Sequence, residues 1–114
     1  MVKAVIFDFG HTIMREDSCI DAYLRDCPVD LMPGAREAIE IIPLPKGIWA
    51  NTRTATANDI RNWLVRAGLD HRISWVAASY ELGCRKPEGE FFARALAACD
   101  LQATDTVCGN RRKR

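Results

Sequence analysis

The sequence predicts an α/β protein built as a three-layer α/β/α sandwich around a small parallel sheet. Short apolar runs alternate along the chain with segments whose apolar residues recur every three or four positions, which is the strand–helix alternation of parallel sheets with right-handed crossovers. Residues 2–7 are apolar except Lys3 and are rich in Val, Ile and Phe, as in a strand covered on both faces. Because the chain has 114 residues, we expect a single domain spanning residues 1–114.

The first half of the chain is predicted to form two strands and two helices. After the strand at 2–7, a short polar stretch leads into a helix predicted at 18–25. A second helix, at 35–42, begins after Pro33, a residue that favours the first turn of a helix. Residues 47–50 then form a compact second strand.

The second half is predicted to continue the alternation. A helix at 57–67 has apolar residues at three- and four-residue spacing, with Thr54 or Thr56 as its N-cap and Gly68 ending it in the left-handed conformation. The remaining elements are a third strand, a loop, a last helix and a fourth strand, predicted at 73–77, 78–87, 88–99 and 105–108.

The composition is that of an ordinary soluble globular protein, with 48% hydrophobic and 27% charged residues. We expect a cytoplasmic protein that contacts no membrane, because the N-terminus lacks a signal-peptide pattern and no stretch is long enough to span a bilayer. The five cysteines form no C-x-x-C pair and are predicted to be reduced thiols. Residues 111–114 form a basic tail, but four residues supply few phosphate contacts, so nucleic-acid binding is not expected.

The candidate site begins at Asp8, which follows the first strand directly. An acid in this position lies at the carboxyl end of its strand, where open α/β sheets form their ligand crevice. Gly10 lets the chain turn sharply, and Thr12 offers a hydroxyl four positions after the acid. The pattern presents a single carboxylate on a rigid base, as a carboxylate nucleophile requires.

Residues 7–13 read F-D-F-G-H-T-I and resemble the first motif of the haloacid-dehalogenase-like (HAD) hydrolase superfamily, in which a hydrophobic strand is followed by D-x-D-x-T. Asp8 and Thr12 match this motif, whereas Gly10 stands where the family has its second Asp. The resemblance implies a HAD-type, Rossmann-like sheet. It also implies a capless or truncated member with degenerate motifs, because neither connection in which the family inserts a cap domain has room for one.

The resemblance implies a catalytic role for several residues. Asp8 would attack the substrate and form a covalent aspartyl intermediate, and Thr12 would steady the loop by bonding Asp8. Lys86, followed by Pro87, matches the third motif of the family. Its ammonium would hold Asp8 ionised and neutralise charge on the transferring group.

The second motif of the family is altered in this chain. Ala50 occupies the position of the hydroxyl residue at the end of the second strand, and Asn51 and Thr52 follow it. The implied phosphate-binding residues are therefore Asn51, Thr52 and Lys86, with weakened anion binding.

The fourth motif of the family is altered as well. Gly109-Asn110 replaces the usual Gly-Asp, so the implied metal site consists of Asp8, Gly10 and Asn110. Because Mg²⁺ prefers carboxylates, this set is expected to hold Mg²⁺ only weakly.

The function implied is that of a phosphatase-type hydrolase, which uses its aspartyl nucleophile on a phosphorylated substrate of unknown size. General acid–base help contributes about 10²–10⁴-fold, so the loss of the second acid predicts a slow enzyme, and His11 is the residue that can substitute. A homo-oligomer can cover the open site. Two alternatives remain: a metal-free dehalogenase-type hydrolase, and a catalytically degenerate HAD fold that serves as a binding or interaction module.

Overall fold

Four parallel strands form a single sheet between layers of helices. The computed structural model describes residues 3–15, 23–102 and 106–109. The strands are β1 (Ala4–Phe7), β2 (Lys46–Ala50), β3 (Trp75–Ala78) and β4 (Thr106–Gly109). Their order across the sheet is β3-β2-β1-β4, and every neighbouring pair is parallel. The predicted α/β fold with a small parallel sheet is confirmed.

The connections place the end of β1 at the point where the winding of the sheet reverses. The helices are α1 (Ala35–Ile41), α2 (Ala57–Ala67), α3 (Ser79–Leu82) and α4 (Gly89–Cys99). From β1 the chain moves to β2 and β3 on one side, and it then returns to place β4 on the other side of β1. In open α/β sheets ligands bind outside the carboxyl ends of the strands at such a reversal, which here is the end of β1.

The helices cover both faces of the sheet and give the predicted three layers. On one face, Ile48 of β2 packs in a core with Trp63 of α2. On the other face, Trp49 of β2 packs with Phe91 of α4, and the two rings meet edge to face with their centroids 6.2 Å apart. Successive residues of β2 thus point into opposite cores, as the alternation of a strand requires, and both cores hold the end of β2 in place.

The predicted helices and strands agree with the structure to within about two residues at each described end. The clearest agreement is α2, which begins after the N-cap Thr56 and ends at Gly68, whose φ is 75°. Thr56 and Asp59 form a capping box, in which each side chain accepts a hydrogen bond from the backbone of the other. Most of the helix predicted at 18–25 lies outside the described residues. Within them, a 3₁₀ turn is present at Leu24–Asp26.

The loop predicted at 78–87 is wrong in its first part, because Ser79–Leu82 form the short helix α3. Contacts with distant residues stabilise this single turn. The Ser79 hydroxyl accepts a hydrogen bond from the backbone N–H of Thr52 (2.8 Å), and the Glu81 carboxylate accepts one from the N–H of Ala57 (2.6 Å). One helical turn is too short to show a periodicity in the sequence.

The cysteines depart in part from the expectation of reduced thiols. Cys84 and Cys99 are free and buried, and burial raises the pKa of the Cys99 thiol. Cys27, however, is disulfide-bonded, which corrects the expectation at that position. In the described part of the chain, no helix has both the length and the apolar character needed to cross a membrane.

Candidate active site

Asp8 is a buried carboxylate at the carboxyl end of β1. Its side chain is 7% exposed, and its Oδ1 accepts a hydrogen bond from the backbone N–H of Phe9 (2.9 Å). The ring of Phe9 packs edge to face against Trp63 of α2, with the centroids 5.1 Å apart. The chain then turns tightly, because the Phe9 carbonyl accepts hydrogen bonds from the N–H groups of Ile13 and Met14. The residue that follows Asp8 is thus anchored in the core, which fixes the direction of the carboxylate.

Lys86 reaches this carboxylate from the connection between α3 and α4. Its Nζ donates a hydrogen bond to Asp8 Oδ1 (2.8 Å) and another to the carbonyl oxygen of Trp49 (2.8 Å). The Lys86 side chain is 11% exposed, so two opposite charges lie together in a largely buried place. Such a pair is tolerated when the charges compensate each other and their remaining polar atoms are hydrogen-bonded. The structure therefore brings together the two residues from the first and third motifs.

Asn51, the first residue after β2, is bound to the backbone of Lys86. Its Nδ2 donates to the Lys86 carbonyl oxygen (3.0 Å), and its Oδ1 accepts from the Lys86 N–H (2.8 Å). The expected phosphate-binding residue Asn51 thus lies at the site, with its side chain directed to the loop that carries Lys86. Its role toward phosphate stays a prediction.

Thr52 lies next to Asn51 and is held by residues around α3. Its Oγ1 donates to the carbonyl oxygen of Ala55 (2.8 Å) and accepts from the N–H of Tyr80 (3.3 Å). Its carbonyl oxygen accepts hydrogen bonds from Ser79 Oγ (3.1 Å) and from the Arg85 guanidinium (3.3 Å). The Thr52 hydroxyl therefore serves the local turn, and its binding of phosphate also stays a prediction.

Ser79 and Arg85 are site neighbours that the sequence did not identify. Ser79 is buried and uses its hydroxyl as both donor and acceptor toward the Thr52 backbone. The signal that points to Ser79 is its position directly after β3, at the edge of the sheet where Asp8 and Asn51 also lie. Arg85 is exposed and directly precedes Lys86, so in the sequence it is seen as part of the third motif and has no separate predicted role.

The remaining residues of the first two motifs lie in different environments. Among the residues that the structure describes, the buried hydroxyl of Thr12 has no hydrogen-bond partner, and the expected bond from Thr12 to Asp8 is not formed. His11 is exposed and adopts a left-handed backbone with φ of 60°. Gly10 pairs through its backbone with Met14. Ala50 is buried in the core shared with α2.

The described residues offer a Mg²⁺ ion one carboxylate of the implied set. Of the implied set, Asn110 lies outside the described residues, and Gly10 can offer only a backbone carbonyl. Asp8 is the one carboxylate of the set, and its Oδ1 is paired with Lys86. Across the described ranges, no group of three or more His, Cys, Asp or Glu side chains is placed to hold a metal ion. Mg²⁺ is usually bound through one or two carboxylates and keeps several waters, so Asp8 is the residue of this set that would hold it.

No model of a known protein family matches the chain, and no curated protein matches it. Solved structures do match it. An uncharacterised protein from Listeria monocytogenes is 25% identical, with a TM-score of 0.80 over 94% of this chain and 66% of that one. An uncharacterised protein from Corynebacterium glutamicum is 19% identical, with a TM-score of 0.60 over 96% and 72%. The core domain of a "putative phosphoglycolate phosphatase" from Streptococcus pneumoniae is 21% identical, with a TM-score of 0.58 over 95% and 65%.

These similarities establish the class of fold. The chain has the α/β fold of HAD-like proteins, and it spans between 65% and 72% of the length of the structures that it matches. Within that fold, the site consists of a buried aspartate that is paired with a lysine at the carboxyl end of the sheet.

Proposed function

We propose that the protein is a HAD-like hydrolase of the phosphatase type, in which Asp8 acts as the nucleophile on a phosphate ester. The observation that carries the proposal is the 2.8 Å pair between Asp8 and Lys86 at the carboxyl ends of the strands. A buried acid and lysine in this position are typical of a functional site, because burial beside a specific charge partner suits such groups to chemistry. The S. pneumoniae structure of the same fold supports the choice of reaction class.

The reaction proceeds in two displacements. A carboxylate oxygen of Asp8 attacks the phosphorus, the bond from phosphorus to the ester oxygen breaks, and the departing alkoxide takes a proton from water. Water then attacks the aspartyl phosphate, which releases inorganic phosphate and restores the Asp8 carboxylate. Lys86 keeps a positive charge beside the reacting oxygens, where a preorganised donor in a water-poor site stabilises developing negative charge.

Gly10 has no side chain to protonate the leaving group, which sets an expectation for the substrate. Without a general acid, the rate of the reaction depends on how well the alcohol departs as an anion. The absence of general acid catalysis lowers the rate by about 10²–10⁴-fold. Esters of acidic alcohols, such as aryl phosphates, should therefore react far faster than alkyl phosphates. If His11 supplies the proton instead, His11→Ala should steepen this dependence on the leaving group.

The test is phosphate release from a graded series of aryl phosphates, with and without Mg²⁺. We expect Asp8→Asn to abolish release and the exposed control Asp100→Asn to retain it. Reduction of a quenched reaction with borohydride should convert Asp8 into homoserine in the wild-type protein alone, since borohydride cleaves acyl phosphates. Equal rates of phosphate release by the wild-type protein and Asp8→Asn would contradict the proposal. Release of chloride from 2-haloacids would instead support the hypothesis of a dehalogenase-type hydrolase.

A catalytically degenerate binding module is the second candidate function. The buried Ala50 favours it, because an apolar side chain takes the place of the hydroxyl that the family uses for phosphate. This hypothesis predicts that the wild-type protein releases no phosphate and that beryllofluoride leaves its melting temperature unchanged. A rise in melting temperature with beryllofluoride that is lost in Asp8→Asn would favour the hydrolase.

A further inference from the structure

We infer that Asn51 is a positioning residue, which holds the backbone of Lys86 so that the Lys86 ammonium meets Asp8. The two hydrogen bonds between the Asn51 side chain and the Lys86 backbone connect residues 35 positions apart in the chain. The catalytic consequence rests on the proposed function, whereas the positioning itself follows from these contacts.

The end of β2 holds Lys86 at both ends of the residue. Asn51 binds the backbone N–H and carbonyl, and the Trp49 carbonyl binds the ammonium at the tip of the side chain. A lysine side chain has many rotamers, and ordering it costs conformational entropy. With the backbone fixed by Asn51, that cost is limited to the side chain, and the ammonium stays within 2.8 Å of Asp8.

The contacts of Asn51 favour this role over phosphate binding. Each polar atom of its amide makes one hydrogen bond to Lys86, at 2.8 and 3.0 Å, so a single N–H of Nδ2 remains for a further acceptor. Turning the amide toward a phosphate would release both hydrogen bonds and leave the backbone of Lys86 without this support. Since Asn51 acts through Lys86, its loss should affect the chemical step more than the affinity for substrate.

The reactivity of the lysines tests the positioning without any need for turnover. The chain has four lysines, of which Lys3 is exposed and Lys46 is buried on two backbone carbonyls away from the site. In the wild-type protein, a water-soluble acetylating reagent should label Lys86 slowly and Lys3 rapidly, as read by mass spectrometry. In Asn51→Ala, Lys86 should be labelled about tenfold faster, because two hydrogen bonds that hold its backbone are lost.

The controls separate this effect from general loosening of the fold. Labelling of Lys46 should stay unchanged in Asn51→Ala, and Asn62→Ala, on the exposed face of α2, should leave every lysine as in the wild type. If Asn51→Ala does not fold, Asn51→Asp decides the question. That variant retains the acceptor for the Lys86 N–H and loses the donor to its carbonyl, so the labelling of Lys86 should rise by less than tenfold.

Steady-state kinetics with an aryl phosphate test the catalytic part of the inference. For an aryl phosphate, Asn51→Ala should lower kcat by about 10²-fold with KM little changed, the loss expected for a small misplacement of a catalytic group. A folded Asn51→Ala variant with slow Lys86 labelling and wild-type kcat would overturn the inference. If the wild-type protein releases no phosphate, the proposed function fails, and the labelling of Lys86 still decides the positioning.

Discussion

Replacing Lys86 with methionine should destabilise the protein far more than removing an exposed ion-pair partner. Methionine has a similar length and keeps the apolar contacts of the lysine stem, but it removes the ammonium that lies 2.8 Å from the buried Asp8 carboxylate. Breaking a buried pair in this way costs about 3–5 kcal/mol. The Phe9 N–H still donates to Asp8, so we expect a value near the lower limit, about 3 kcal/mol.

The assay is urea denaturation followed by tryptophan fluorescence, because Trp49 and Trp63 are buried in the two opposite cores. The free energy of unfolding is obtained by linear extrapolation to zero urea. Arg15→Met is the matched control. Arg15 pairs with Asp30 at 3.6 Å, both side chains are more than a third exposed, and such pairs contribute about 0–1 kcal/mol.

The double variant Lys86→Met/Asp8→Asn tests whether the buried Asp8 charge causes the destabilisation. Asp8→Asn turns the buried carboxylate that has lost the Lys86 ammonium into a neutral amide, so the double variant should be more stable than Lys86→Met alone. A double-mutant cycle isolates this coupling between the two side chains. The reasoning is refuted if Lys86→Met unfolds at the same urea concentration as Arg15→Met, or if the added Asp8→Asn change lowers stability further.

Three further outcomes test the physics of the fold. Burial, and to a smaller extent the nearby charge of Arg72, lowers the pKa of Lys46 from its ordinary value of 10.5. At pH values just below 10.5 the unfolded chain therefore binds more protons than the folded protein, so the free energy of unfolding should rise with pH. This rise should be smaller in Lys46→Met. Gly47→Ala should cost about 1–3 kcal/mol in urea denaturation, because its Cβ would lie 2.8 Å from Ile6 Cδ1 and 3.3 Å from a backbone oxygen, whereas Gly89→Ala, with nothing within 4 Å, should be neutral or stabilising. Thr56→Ala removes the N-cap of α2 and should cost about 1 kcal/mol in the same assay.

The fold was predictable because its signals are local. The apolar run before Asp8 and the apolar spacing within α2 each follow from the period of the element that they form. The cap residues of α2 were predictable for the same reason, since an N-cap hydroxyl and a terminal glycine act on backbone groups within a few residues. By contrast, α3 is stabilised by hydrogen bonds from the backbone of Thr52 and Ala57, which lie 27 residues before Ser79 and 24 before Glu81. No local sequence pattern predicts contacts over such separations.

The site was predictable only in its main pair. Asp8 and Lys86 were expected to meet because both follow from motif positions and because parallel strands end at the same edge of the sheet. The roles of Asn51 and Ser79 could not be read in this way. Each is a small polar residue after a strand, and such a residue can face solvent, a ligand or the backbone of another loop. That choice is decided by the path of the loops.

A need for stability does not explain the buried Asp8–Lys86 pair, and this supports the proposal that this end of the sheet serves chemistry. Replacing a buried ion pair with well-packed apolar residues is often neutral or stabilising, so a need for stability does not explain why two charges lie together at 7% and 11% exposure. The surroundings maintain this costly arrangement through the Phe9 N–H, the Trp49 carbonyl and the Asn51 amide. The structure therefore holds an acid and a cation together at the reversal point of the sheet.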